Sequence, residues 1–201
     1  MGTAYTDLYS KLVTELPRCP APLMLETIRE VSIEFFKETL AWPVELTLSL
    51  VEDQADYDLS ADGEMPLQTV LHGVREVKIN DAPQTPGEDY NYTMDKDKIN
   101  LHLEQTPTED DDDALWVEVA VRPSSSATGL VNDRLYDDYC WAIAKGVKAR
   151  LMAMSKQPWS NPRDAAMYHE MYWEDIRKAK IEQSKERMLV DQVAYSSRSF
   201  I

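Results

Sequence analysis

Six glycines in 201 residues leave little material for a phosphate cradle, and none of the patterns G-x-x-x-x-G-K-[ST], G-x-G-x-x-G or G-x-S-x-G occurs. Cysteine is as scarce. Cys19 and Cys140 stand alone, without the C-x-x-C spacing of a redox or zinc site, so both are expected as buried thiols. The three histidines, His72, His102 and His169, share no H-E-x-x-H or comparable spacing, which points to structural or exposed roles. No stretch approaches the roughly 20 apolar residues of a bilayer-crossing helix, and MGTAYTDLYS lacks a basic-then-apolar signal. A membrane partner is therefore not expected, and assembly in a cytoplasm is. No catalytic residue, metal or cofactor follows from what remains.

Basic residues are also in short supply. Lys and Arg total 21 against 36 Asp and Glu, a formal charge of −15. The deficit is uneven: residues 1–132 carry 9 basic and 26 acidic residues, while 133–201 carry 12 and 10. The acidic front has no electrostatic means of holding DNA, whose phosphates require Lys and Arg. Asp95 and Asp97 begin like a calcium loop, but Asn100 stands where glycine is needed and Thr106 where glutamate is needed. Glu109 to Asp113 form a run of five carboxylates, expected as a solvated loop between strands. An alternative reading makes that run, with His102 near it in sequence, the site of a metal-dependent enzyme.

Periodicity supplies the architecture. Met24, Ile28, Val31, Phe35 and Trp42 recur at helical spacing, with Glu26, Glu30, Glu34 and Lys37 opposite, predicting an amphipathic helix ended by Pro43. A shorter helix from about Thr6, whose hydroxyl is a candidate cap, precedes it across the proline-rich joint 16–22. From Val44 the period becomes two, and strands are expected over 44–50, 68–79, 90–94, 98–103 and 114–122. Hairpin-length connections favour antiparallel pairing. Tyr136, Cys140, Ile143, Val147, Leu151 and Met154 restore the helical period, and Ala142, Gly146 and Ala149 offer a small-residue face for another helix. A last helix starts with Asn161 as N-cap, Pro162 in the first position and Asp164 in the first turn. Its stripe of Ala165, Tyr168, Tyr172, Ile176 and Ala179 ends near 181. The expected fold class is α+β, with helices gathered at one end of an antiparallel sheet or small sandwich. Residues 1–43 and 123–189 form a helical domain, 44–122 a β domain and 190–201 an extended docking tail.

Aromatic residues concentrate late: Trp141, Trp159, Tyr168, Tyr172 and Trp173 in the helices, then Tyr195 and Phe200 in the tail. Core packing accounts for most of the helical set. The tail VAYSSRSFI, 193–201, has nothing left in its own chain to pack against, so its partner is expected to be another chain.

Taken in order, several segments resemble head-to-tail adaptor proteins of short-tailed bacteriophages, of the tail tubular protein A type, over essentially the whole chain. They are the helix pair LPRCPAPLMLETIREVSIEFFKET, the strand leading to QADYDL, the late VRPS, YDDYCWAIAKGVKARLMAMSKQPWSNP and the helix opening AAMYHEMYWEDIRKA. The resemblance implies a non-enzymatic virion protein at the head-tail interface. It implies a ring, usually of twelve copies, between the portal protein and the tail nozzle protein, through which DNA passes without specific binding. On this sequence the portal-facing elements become the helix from about Asn161 and the tail, with Tyr195 and Phe200 as anchors, Arg198 as a charge contact, and Ser199 and the apolar end Ile201 beside them. The nozzle-facing part becomes 44–122. A monomeric module whose tail is a short linear motif is the other reading of the same residues.

Overall fold

The computed structural model describes residues 3–60, 65–84, 92–94, 100–130 and 133–197, with Thr3 and 186–197 by backbone alone. Its elements run β1 (Thr3–Ala4), α1 (Tyr5–Leu12), α2 (Ala21–Thr39), β2 (Pro43–Leu50), β3 (Asp56–Asp58), β4 (Thr69–Ile79), β5 (Ala82–Pro83), β6 (Tyr92–Met94), β7 (Asn100–Leu103), β8 (Asp111–Pro123), β9 (Gly129–Leu130), α3 (Asp133–Met152) and α4 (Pro162–Ser197). The fold is α+β, and the paired strands are antiparallel. Two compact units divide the chain: 1–41 with 125–201 hold the helices and the β1–β9 ribbon, and 42–124 hold β2 to β8. The helical unit contains 16 basic and 16 acidic residues, and the β unit 5 and 20. The whole net charge therefore belongs to the β unit.

In the helical unit, Met24, Ile28, Val31 and Phe35 of α2 are fully buried, as their spacing predicts. Three hydroxyls on the same helix, Thr27, Ser32 and Thr39, donate to the carbonyls of Leu23, Ile28 and Phe35, so their burial leaves no unmet donor. The helix stops earlier than its apolar period suggests. Leu40 turns left-handed at φ 53°, and the Ala41 N–H bonds the Thr39 hydroxyl, so Trp42 falls in the β unit, where its carbonyl accepts from Val121. The Thr6 cap does not form either. Helix α1 starts one residue earlier, without a side-chain cap, and the Tyr5 N–H donates instead to the Thr128 carbonyl next to the β1–β9 ribbon.

Helix α3 is central to this unit. From Ala142 to Met152 nearly every residue is buried, and Gly146 sits where α2 and α4 close on it. A Cβ at 146 would lie 2.6 Å from Val31 Cγ1 and 2.9 Å from Tyr172 Cε2. The small-residue face read from Ala142, Gly146 and Ala149 thus has the helices it called for. Cys19 and Cys140 are free and buried, and burial raises both thiol pKa values.

The β unit holds a four-stranded sheet in the order β2-β8-β4-β5 and a three-stranded sheet β3-β7-β6. Strand β8 is flanked on both edges, and Leu115, Val117, Val119 and Val121 alternate along it with no exposed surface. Ala114 and Ala120, from the opposite parity, are buried as well, as a central strand allows. Strand β4 makes two register shifts against β8, between Leu71 and Gly73 and between Val74 and Glu76. The second brackets Arg75, whose guanidinium pairs with Glu118 of β8 at 3.1 Å. Asn80 and Asp81, both left-handed at φ 48° and 63° in the sense of a two-residue type I′ turn, join β4 to β5. The strands expected over 90–94 and 98–103 appear as β6 and β7; positions 90–91 and 98–99, with Asp95 and Asp97, lie outside the described residues. The carboxylate run is less of a loop than its composition implied. Asp111 to Asp113 belong to β8, because Asp111 pairs across to Leu50 beyond an irregularity at the end of β2.

Gly146→Ala adds a methyl where none fits, and overpacking of this kind costs about 1–3 kcal/mol. Thermal denaturation is expected to show a drop of several degrees, with the secondary structure of the folded state unchanged by circular dichroism.

The buried phenols give the fold a pH signature. Burial pushes Tyr5 from 10.0 up to about 12, and burial with the adjacent Glu34 carboxylate moves Tyr172 upward as well. A phenol held protonated by folding stabilises the native state in full below pH 10 and loses that contribution as pH rises from 10 towards 12. Urea denaturation is expected to show stability falling across that window, and Tyr5→Phe to remove part of the fall.

Candidate assembly surfaces

Helix α4 is positioned at its start by the cap its sequence announces. Asn161 Oδ1 accepts from the Asp164 N–H at 3.3 Å, Pro162 opens the helix, and the Ala165 N–H returns to the Asn161 carbonyl. Its inward stripe, Ala165, Tyr172, Ile176, Ala179 and then Gln183, is buried, with Tyr168 half-buried beneath the Lys148 amine, 4.8 Å from the ring. The Tyr172 hydroxyl donates to Glu34 at 3.1 Å.

Charged side chains lace the helices laterally. Lys145 pairs with Asp175 at 2.5 Å, Lys180 with Glu38 at 3.1 Å, Lys148 with Glu15 at 2.6 Å, and Arg150 with Glu30 and Glu34 at 3.2 and 2.9 Å. Two of the glutamates that periodicity set opposite the apolar side of α2, Glu30 and Glu34, thus meet Arg150 of α3 and, at Glu34, Tyr172 of α4. Each half-exposed pair contributes roughly 0.2–1 kcal/mol, so their larger effect is on register.

Burial along α4 is described as far as Lys185 and last occurs at Gln183, yet the backbone stays helical to Ser197. At 1.5 Å per residue its 36 residues span about 54 Å, against about 30 Å for the 20 of α3. The extended tail expected from residue 190 is therefore helical over 190–197. The physical reason is local: after Pro162 no glycine or proline interrupts the sequence up to Ser197, and Glu, Gln, Lys, Arg, Met, Leu and Ala propagate a helix well. Tyr195 has its backbone in this helix, and its side chain lies outside the described residues. Arg198, Ser199, Phe200 and Ile201 lie outside them altogether.

The acidic run and the histidines do not form one site. Asp110 Oδ1 accepts from the Glu52 N–H at 2.8 Å, tying the start of β8 to the loop after β2. His102 Nδ1 stands 2.8 Å from Asp56 Oδ1, its direct cross-strand partner on β3. His169 belongs to the other unit, where its Nε2 accepts from the Trp173 indole N–H at 3.1 Å. Among the described residues, no group of three or more His, Cys, Asp or Glu side chains converges as metal ligands would. An open hollow of about 580 Å³ is lined in part by Leu50, Ile79, Leu103, Glu104, Glu109 and Asp111, and His102 is not among its lining residues.

A family model described as SU10 adaptor protein matches residues 3–196, which takes in both units and nearly all of α4. The chain belongs to the SU10 adaptor protein family. Its role is accordingly that of a structural bacteriophage protein, a head-tail connector of the tail assembly, and the family is not one of enzymes. The narrower likeness to tail tubular protein A remains a resemblance of sequence. Among curated proteins, none matches this chain.

On the helical unit of the adaptor, one aromatic departs from the core role expected of its group. Trp159 and Tyr172 are buried, but Trp141 is 58% exposed. Periodicity contained the signal, since Trp141 follows Cys140 and so falls one position off the stripe Tyr136, Cys140, Ile143 and Val147. The Lys11 amine reaches across from α1, 5.4 Å from the Trp141 ring and 4.9 Å from that of Tyr136. On α4, Met167 and Met171 are exposed one turn apart.

The exposed carboxylates of the acidic run are expected to act locally. Asp110→Ala removes the acceptor for the Glu52 N–H and is expected to cost about 0.5–1.5 kcal/mol in chemical denaturation. Asp110→Asn keeps an oxygen there and costs less. Replacing Asp110 to Asp113 with Asn leaves the response of the melting temperature to added calcium or magnesium unchanged, whereas a metal-induced rise present in the unmodified protein and lost in the variant would revive the metal-site reading.

Proposed function

We propose that this adaptor assembles as a ring, of twelve copies as the resemblance implies, between the portal and the tail nozzle, and that the end of α4 with the residues after it docks on the portal. The observation that carries the reading is the overrun of α4: a helix whose last described buried position is Gln183 continues to Ser197 and leads into the sequence Arg198-Ser199-Phe200-Ile201. Tyr195 and Phe200 are the proposed anchors, Arg198 the charge contact, and Ser199 and Ile201 their neighbours in the contact.

Magnitudes limit how such a segment binds. Burying one aromatic side chain contributes roughly 1.5–3 kcal/mol. Ordering a flexible backbone costs about 1–2 kcal/mol per residue, so two anchors would not hold a ten-residue coil. Helix over 190–197 reduces the ordering that remains to be done on binding, and repetition around a ring converts a weak single contact into a durable one. The β unit, with its excess of carboxylates, faces the nozzle and contributes to a channel whose negative wall lets DNA slide without adhering.

Removing residues 190–201 is expected to leave a folded protein, since the described buried contacts end at Gln183, and to abolish co-sedimentation with portal complexes. Normal docking of the truncated chain would sink the assignment of the tail. Native mass spectrometry of the full chain with portal checks the copy number.

A further inference from the structure

We infer that the helical unit of one adaptor packs on a second copy through Trp141, which seats against Met167 and Met171 of its neighbour. The inference rests on the ring reading and specifies the contact that would repeat around it. Trp141 is the exposed exception on a helix otherwise enclosed from Ala142 to Met152, and tryptophan is among the residues most often found to dominate association energies. Met167 and Met171 form a short apolar ridge on a different helix, and thioethers make favourable contacts with aromatic rings. The Lys11 amine accompanies Trp141, the exposed Asp137 and Asp138 lie on the turn before it, and the exposed Glu170 stands between the two methionines in sequence.

Two unlike patches on one chain favour a head-to-tail contact over a self-complementary one, because each copy then offers one donor and one acceptor surface. Charge selects the second copy as the occupant. Identical chains of charge −15 repel, but all of that charge is in the β unit, and the helical unit carries 16 charges of each sign. Copies can therefore approach through their helical units with no net penalty there, while their β units oppose association. Screening removes that opposition, so association strengthens as salt is added, the reverse of an interface built on ion pairs.

Sedimentation velocity of the full chain over a concentration series, at low salt and at about 0.5 M NaCl, where the Debye length is about 4 Å, tests the contact. The unmodified chain is expected to associate, more strongly at the higher salt. Trp141→Ala and the double substitution Met167→Ala with Met171→Ala each weaken association at least about tenfold while leaving the melting temperature close to that of the unmodified chain. Mixed together, the two variants form pairs and nothing larger, because only one intact donor and one intact acceptor surface meet. The inference is overturned if Trp141→Ala associates like the unmodified chain, if deleting 190–201 alone abolishes association, or if the unmodified chain stays monomeric at every concentration and salt. The last result leaves portal docking by the tail, which is measured separately, untouched.

Discussion

At Gly146 three helices meet with no room for one more carbon. Val31 of α2 and Tyr172 of α4 occupy the space a side chain would fill, so the axes of α2, α3 and α4 are set by a position that carries no side chain at all. Much else in the helical unit follows from that approach. Tyr172 is brought within reach of Glu34, and Arg150 and Lys180 find the carboxylates of α2. Helix α4 is buried at positions from 165 to 183, and its backbone continues as helix to Ser197.

Hydrophobic contact and charge are distributed on different principles in the two units. The helical unit is electrically balanced and stitched by pairs between helices, whereas the β unit concentrates the carboxylates around a sheet whose central strand buries Leu115, Val117, Val119 and Val121 along one face. Balance permits close approach between like chains, and excess charge opposes it. Separating the two by unit lets salt act on one without disturbing the other.

Most of the architecture was legible in the periods of the sequence. The apolar positions of α2 and α4, the alternation of β2, the Asn161-Pro162 start and the small-residue face around Gly146 all express local geometry, and local geometry is what spacing encodes. The failures have a common origin. Trp42 extended the apparent stripe of α2 although the chain had already turned at Leu40, and Thr6 offered a cap to a helix whose start is held by Thr128, more than a hundred residues away. Trp141 was grouped with the core aromatics, although its offset from Cys140 placed it off the stripe. That Glu30 and Glu34 meet Arg150 was not legible, because nothing nearby in sequence announces it.

Composition and spacing are properties of a single string, so they suffice for what depends on neighbours along it: the α+β class, the helix and strand positions, the thiols without partners and the surplus of acid. Which helix meets which, where the net charge collects, which tryptophan stays in water and which positions of α4 are buried depend on segments brought together from opposite ends of the chain. Those follow from packing in three dimensions, since burial and repulsion act through space and take no account of the order in which residues were joined.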